Sequence, residues 1–109
     1  MSVLFIPKAR EYTRYLMRIL YEKGYFVFEE NAQKYVDDLI LEIETTLPTK
    51  SHKPAPKHFD RYGKNMKYAS FRKNKNTQWY AFFKTYNRND ETIYLVRYIS
   101  NNHVIAQYL

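Results

Sequence analysis

The sequence predicts an α+β fold: a small antiparallel sheet of about four strands packed against two N-terminal helices. Three observations carry that expectation. Apolar residues recur twice at helical spacing before Pro48, and from Lys67 onward they alternate at strand spacing. The third is size and composition. With 109 residues the chain suits one domain with one modest core, and 18% aromatic content with only two glycines argues against disorder.

The elements follow in order. Met1 to Ile6 is a short apolar run closed by Pro7. From Lys8 to Lys23 the stripe Tyr12, Tyr15, Leu16, Ile19 and Leu20 predicts an amphipathic helix, with Gly24 at its C′ position. Tyr25 to Glu29 reads as a short strand, because it is rich in aromatic and β-branched residues. Asn31 is the expected cap of a second helix whose stripe is Ala32, Tyr35, Val36, Leu39, Ile40, Ile43 and Leu47, stopped by Pro48. Residues 48–58 hold three prolines and no apolar period, which predicts an extended, mobile loop. Phe59 to Gly63 is a turn or a helical corner.

Three strands should follow: Lys67–Lys73, Gln78–Tyr86 and Thr92–Ser100. Asn74-Lys75-Asn76 and Asn87-Arg88-Asn89-Asp90 supply the turns. Strict alternation puts Trp79, Ala81 and Phe83 on one face of the second strand. In the third it sets Ile93, Leu95 and Ile99 opposite Tyr94, Val96 and Tyr98. Both faces of these two strands are apolar or aromatic, so they should be central.

Charge is concentrated. Residues 48–76 hold Lys50, Lys53, Lys57, Arg61, Lys64, Lys67, Arg72, Lys73 and Lys75 against Asp60 alone, a sum of +8. The flanking parts sum to −2 (residues 1–47) and +1 (residues 77–109), which returns the whole-chain +7. Such a block attracts polyanions.

Several chemistries are excluded. There is no cysteine, so there is no disulfide framework and no thiolate metal site. His52, His58 and His103 do not fall at zinc spacing, and the glycines of a phosphate-binding loop are missing. No metal or cofactor is therefore expected. No apolar run approaches the ~18 residues of a membrane span, and no signal peptide is evident, so a cytoplasmic protein without a membrane partner is expected.

Metal-free RNA cleavage remains open, because RNA carries its own nucleophile, the 2′-hydroxyl. A protein need only position a base, an acid and cations around one phosphate. Candidates are Lys57, His58, Arg61, Arg72, Lys73, His103 and Tyr108, with Phe59, Tyr62, Tyr68 and Phe71 available to stack on splayed bases.

From Tyr25 on, the chain resembles the RelE/ParE toxin superfamily of bacterial toxin–antitoxin systems. Tyr25-Phe-Val-Phe-Glu-Glu-Asn-Ala-Gln-Lys-Tyr-Val-Asp-Asp-Leu resembles that family's first strand and the first helix of its helical hairpin. Arg72 lies in a strand where such toxins place a cation, and Trp79-Tyr-Ala-Phe-Phe resembles the central strand, without its usual Arg. Tyr94-Leu-Val-Arg-Tyr-Ile-Ser-Asn-Asn-His resembles the last strand, with His103 and then Tyr108 at two family positions. The resemblance implies a RelE-like core over residues 25–109, with residues 1–24 as an N-terminal helical extension. It further implies cleavage of mRNA on the ribosome, with His103 or Tyr108 in proton transfer. Arg72 would hold the phosphate together with Lys57 or Arg61, and Lys57, His58, Arg61 and Lys73 would line the RNA path. A cognate antitoxin is the implied protein partner. Two alternatives remain: a gyrase-poisoning ParE-like toxin, and a non-catalytic basic module that binds RNA or an acidic protein.

Overall fold

The computed structural model describes residues 1–109. It is an α+β domain in which helices pack against a mixed five-stranded sheet of order β1-β5-β4-β3-β2. The strands are β1 (Ser2–Phe5), β2 (Lys53–Pro54), β3 (Lys67–Asn74), β4 (Thr77–Arg88) and β5 (Glu91–Asn101). The helices are α1 (Pro7–Glu22), α2 (Glu29–Thr46) and the short α3 (Asn102–Ile105). No helix is long and apolar enough to cross a membrane.

The first strand is not where composition put it. Ser2–Phe5 forms β1, which pairs in parallel with β5 from Ser2↔Ile93 to Phe5↔Val96. The sheet is therefore five-stranded and mixed rather than four-stranded and antiparallel. Tyr25–Phe28 is the connector between α1 and α2, and its hydrogen bonding explains why. Gly24 at φ 80° lets its own N–H bond Tyr21 O and the Tyr25 N–H bond Leu20 O, the two bonds of a Schellman stop. Phe28 O then accepts from Asn31 and Ala32, so Phe28 is the N-cap of α2 and Asn31 lies inside the helix. With the Tyr25 N–H and Phe28 O fixed at the two helix ends, Tyr25–Phe28 is held as a short connector that pairs with no strand.

Pro7 starts α1 at a position where its missing N–H is no loss. Leu16 from α1, Val36, Leu39 and Ile43 from α2, and Leu47 just after it are buried against Ala69, Phe71, Trp79, Ala81, Phe83, Val96 and Ile99 of the sheet. Each large side chain in such a core contributes about 1.5–3 kcal/mol. Residues 1–24 thus supply an edge strand and a core helix.

The other sheet face has a smaller core of Phe59, Met66, Phe82 and Ile105. The 3₁₀ turn Lys57–Tyr62 and α3 cover it. The proline-rich segment is not a free loop: Lys53 and Pro54 pair with Tyr68 and Lys67, and the Ala55 N–H donates to Met66 O at 2.9 Å.

Alternation along β5 is broken by a bulge. Phe82 faces Tyr98 but Phe83 faces Val96, which leaves Arg97 as the extra residue. Ile99 consequently joins Tyr94 and Val96 on the helical side, while Tyr98 turns to the other face. The Arg97 Nε–H donates to Tyr62 O at 2.6 Å, and the rings of Tyr62 and Tyr98 stack at 3.8 Å. The bulge thereby ties the 3₁₀ turn to the sheet. Gly63, at φ 152°, follows that turn, and a Cβ there would lie 2.7 Å from Arg97 Nε. Gly63→Ala is expected to cost about 1–3 kcal/mol, measured by urea unfolding, through backbone strain and displacement of Arg97. An unchanged midpoint would mean that the Arg97 tie carries no weight.

Candidate nucleic-acid interface

Chain topology turns the basic block into a surface. Residues 48–76 run through β2, the 3₁₀ turn and β3, which form one edge of the sheet and part of the face turned away from α1 and α2. Only Lys73 among the nine cations has a carboxylate partner, Glu42 at 3.6 Å. Lys50 sits 4.8 Å over the Phe71 ring. The edge therefore keeps its positive charge, because the acidic residues lie mostly on the helices.

The candidate residues fall into separate groups. His58 and Tyr108 meet face to face, with ring centroids 3.7 Å apart and planes 3° from parallel. Lys57 precedes His58 and is exposed. Arg61 is exposed on the same 3₁₀ turn, near Tyr98. Burial above all raises the Tyr98 phenol above its ordinary value, and burial does the same for Tyr80. Both therefore stay neutral hydroxyls at pH 7.

A second group surrounds the β3–β4 turn. The Arg72 Nε–H donates to Asn74 O at 3.2 Å, and Arg72 pairs across the ladder with Gln78. Asn102 clamps the same turn: its amide donates to Asn76 O at 3.0 Å, and its Oδ1 accepts from the Gln78 N–H at 2.9 Å. His103 follows, with Nε2 3.3 Å from Thr77 Oγ1. Arg72 and His103 thus flank one turn, while Tyr108 belongs to the His58 group.

Lys73 stands apart from both groups. It faces α2, between Glu42 and the Tyr35 ring 5.5 Å away. The ladder register shifts at Lys73, and its neighbour Arg72 pairs with Gln78, which lines a hollow on the basic face.

Two hollows adjoin these groups. A cavity of about 230 Å³ opens on the basic face between Ser51, Lys53, Tyr68, Ser70, Gln78 and Tyr80. A larger one of about 370 Å³ lies on the helical side, walled by Tyr12, Leu16, Tyr25, Phe26, Tyr35 and Trp79, with His103 at its rim. Sequence reading missed Asn74, Thr77, Asn101 and Asn102 around the turn. One signal was available: an Asn three residues before Val104 is a helix cap, and the Asn101 side chain does accept from the Val104 N–H. No group of three or more His, Cys, Asp or Glu side chains gathers to hold a metal.

No protein-family model matches the chain, and no curated protein or solved structure is significantly similar to it.

Proposed function

We propose that this chain binds RNA along the β2–β3 edge and acts as a metal-free endoribonuclease of the RelE/ParE toxin type on mRNA at the ribosome. The observation that carries the reading is the unneutralised basic edge beside a sheet face rich in exposed and half-buried aromatics. Cations that track a phosphate backbone, interleaved with rings that stack on bases, are the ingredients of single-strand recognition.

Element order supports the family reading. The resemblance names a first strand, a helical hairpin, a central strand and a last strand. Laid on this chain it begins at Ser2 rather than Tyr25, with α1 and α2 as the hairpin. A cognate antitoxin would cover the basic edge with acidic residues, and action on ribosome-bound mRNA would be cytoplasmic.

In this mechanism the 2′-oxygen attacks the adjacent phosphorus as a base removes its proton. The bond to the 5′-oxygen breaks, and an acid protonates that oxygen, leaving a cyclic phosphate. His103 would be the proton-transfer group at the β3–β4 turn, and Arg72, which reaches the same turn from the other face of the sheet, would stabilise the charge that develops on the phosphate. The His58–Tyr108 stack and Lys57 and Arg61 guide the strand.

Induced expression tests the reading. The wild type should arrest growth and cut transcripts, and His103→Ala should slow cleavage by about 100-fold or more. Arg72→Ala should also lose cleavage. A wild type that neither arrests growth nor cuts RNA would falsify the proposal. The separation of Tyr108 and Lys73 from His103 favours a second reading, in which the same fold binds without cutting. Gyrase inhibition by the purified protein, or salt-dependent RNA binding with no cleavage, would select it.

A further inference from the structure

We propose that the cavity between α1 and the β3–β4 turn receives one unstacked nucleobase of the bound strand, an inference that rests on the RNA reading above. Its volume of about 370 Å³ lies within the ~300–1,000 Å³ of small-molecule sites. The walls suit a flat ring. Tyr12, Tyr25, Phe26, Tyr35 and Trp79 supply aromatic surface, and Leu16 and Ile19 supply aliphatic surface. Aromatic faces stack on any base without regard to sequence.

The polar groups are mostly donors. Asn74 Oδ1 already accepts from the Asn76 N–H and Asn101 Oδ1 from the Val104 N–H. Each amide is thereby oriented, and its NH₂ makes no hydrogen bond within the protein. Trp79 Nε1 donates to the Tyr35 hydroxyl at 2.8 Å, so that hydroxyl can still donate its own proton. Burial raises the Tyr12 and Tyr35 phenols, so both remain protonated donors. The Lys23 side chain also lines the cavity. Base edges rich in acceptors, joined to a phosphate, match this set.

Continuity with the proposed RNA path is the further support. Asn74 ends β3, next to Lys73 and Lys75 and two residues from Arg72, and His103 stands at the rim. A strand following the basic edge to the β3–β4 turn arrives at this opening. The Schellman stop at Gly24 holds Tyr25 against the same mouth, with the residue 69% exposed.

The test uses the whole chain and unstructured RNA oligonucleotides carrying 2-aminopurine at successive positions. One position should respond on binding, together with emission from Trp79, the only tryptophan. Tyr25→Ala removes a stacking surface, and Ile19→Phe fills the mouth. Both side chains are exposed enough to change without unfolding the domain. Each should weaken RNA binding roughly tenfold while the salt dependence stays as in the wild type. If the wild type binds RNA in a salt-dependent way, yet no position responds and neither variant loses affinity, the base pocket is wrong and the RNA reading stands. A wild type that binds no RNA overturns both.

Discussion

Phe82→Ala is expected to lower the stability of this domain by about 3–5 kcal/mol, a large part of the ~5–15 kcal/mol that holds a typical domain together. Phe82 is fully buried in β4 on the sheet face that the long helices do not cover. Its ring meets Phe59 at 4.4 Å, Tyr68 at 5.2 Å and Tyr98 at 5.6 Å. Removing it opens a cavity that cannot collapse easily. One wall is sheet backbone, and the other is a 3₁₀ turn held in place by Arg97. Urea unfolding measures the loss, and Phe82→Leu should give an intermediate value. A cost below about 1 kcal/mol would mean that the Lys57–Tyr62 cover is not packed in solution. The consequence reaches the interface, because Lys57, His58 and Arg61 ride on that cover.

Neutralising Lys53, Lys57, Lys67 and Arg72 together, each to Gln, is expected to flatten the salt dependence of RNA binding by roughly three units. The basis is the slope of about −0.7 per phosphate contact for single strands. At 50 mM salt the affinity should drop by more than ~50-fold. None of the four side chains has a carboxylate partner in the domain, so their removal leaves no buried charge behind. The matched control takes Lys8, Arg14, Arg18 and Lys34 of the helical layer to Gln. It removes the same net charge from the other side of the molecule. Equal losses from the two variants would show that binding follows total charge and not the β2–β3 edge.

Local pattern made most of the helices and strands legible. The stripes through Leu16 and through Val36, Leu39, Ile43 and Leu47 face the core as their spacing predicted. The β4–β5 turn also follows from its residues, since Asn89 and Asp90 take φ 51° and 64°, the sign a two-residue hairpin loop requires. The misread segments depend on distant partners. Ser2–Phe5 is a strand because β5 is there to pair with it, whereas Tyr25–Phe28 has the composition of a strand but is pinned at both ends by the helix caps and pairs with no strand. The Arg97 bulge has no mark in the sequence, and it moved Ile99 to the helical side. At the interface, the charge block was plain from composition. That Lys73 would turn to Glu42, and Tyr108 to His58, depended on strand facing and on where the chain folds back.

The parallel pairing of β1 with β5 has a consequence during synthesis. The pairs Ser2↔Ile93 and Phe5↔Val96 join segments separated by most of the chain. β5 is also the strand that bridges β1 to β4. As the polypeptide lengthens on the ribosome, β1 has no neighbour to join and α1 has no complete sheet to cover until Glu91–Asn101 has emerged. Ordering of the domain is therefore a late, all-at-once event, slowed by the distant pairing it must wait for. A nascent chain arrested before Glu91 would display the bare faces of two amphipathic helices, and it is at that stage that the sequence most needs protection from aggregation.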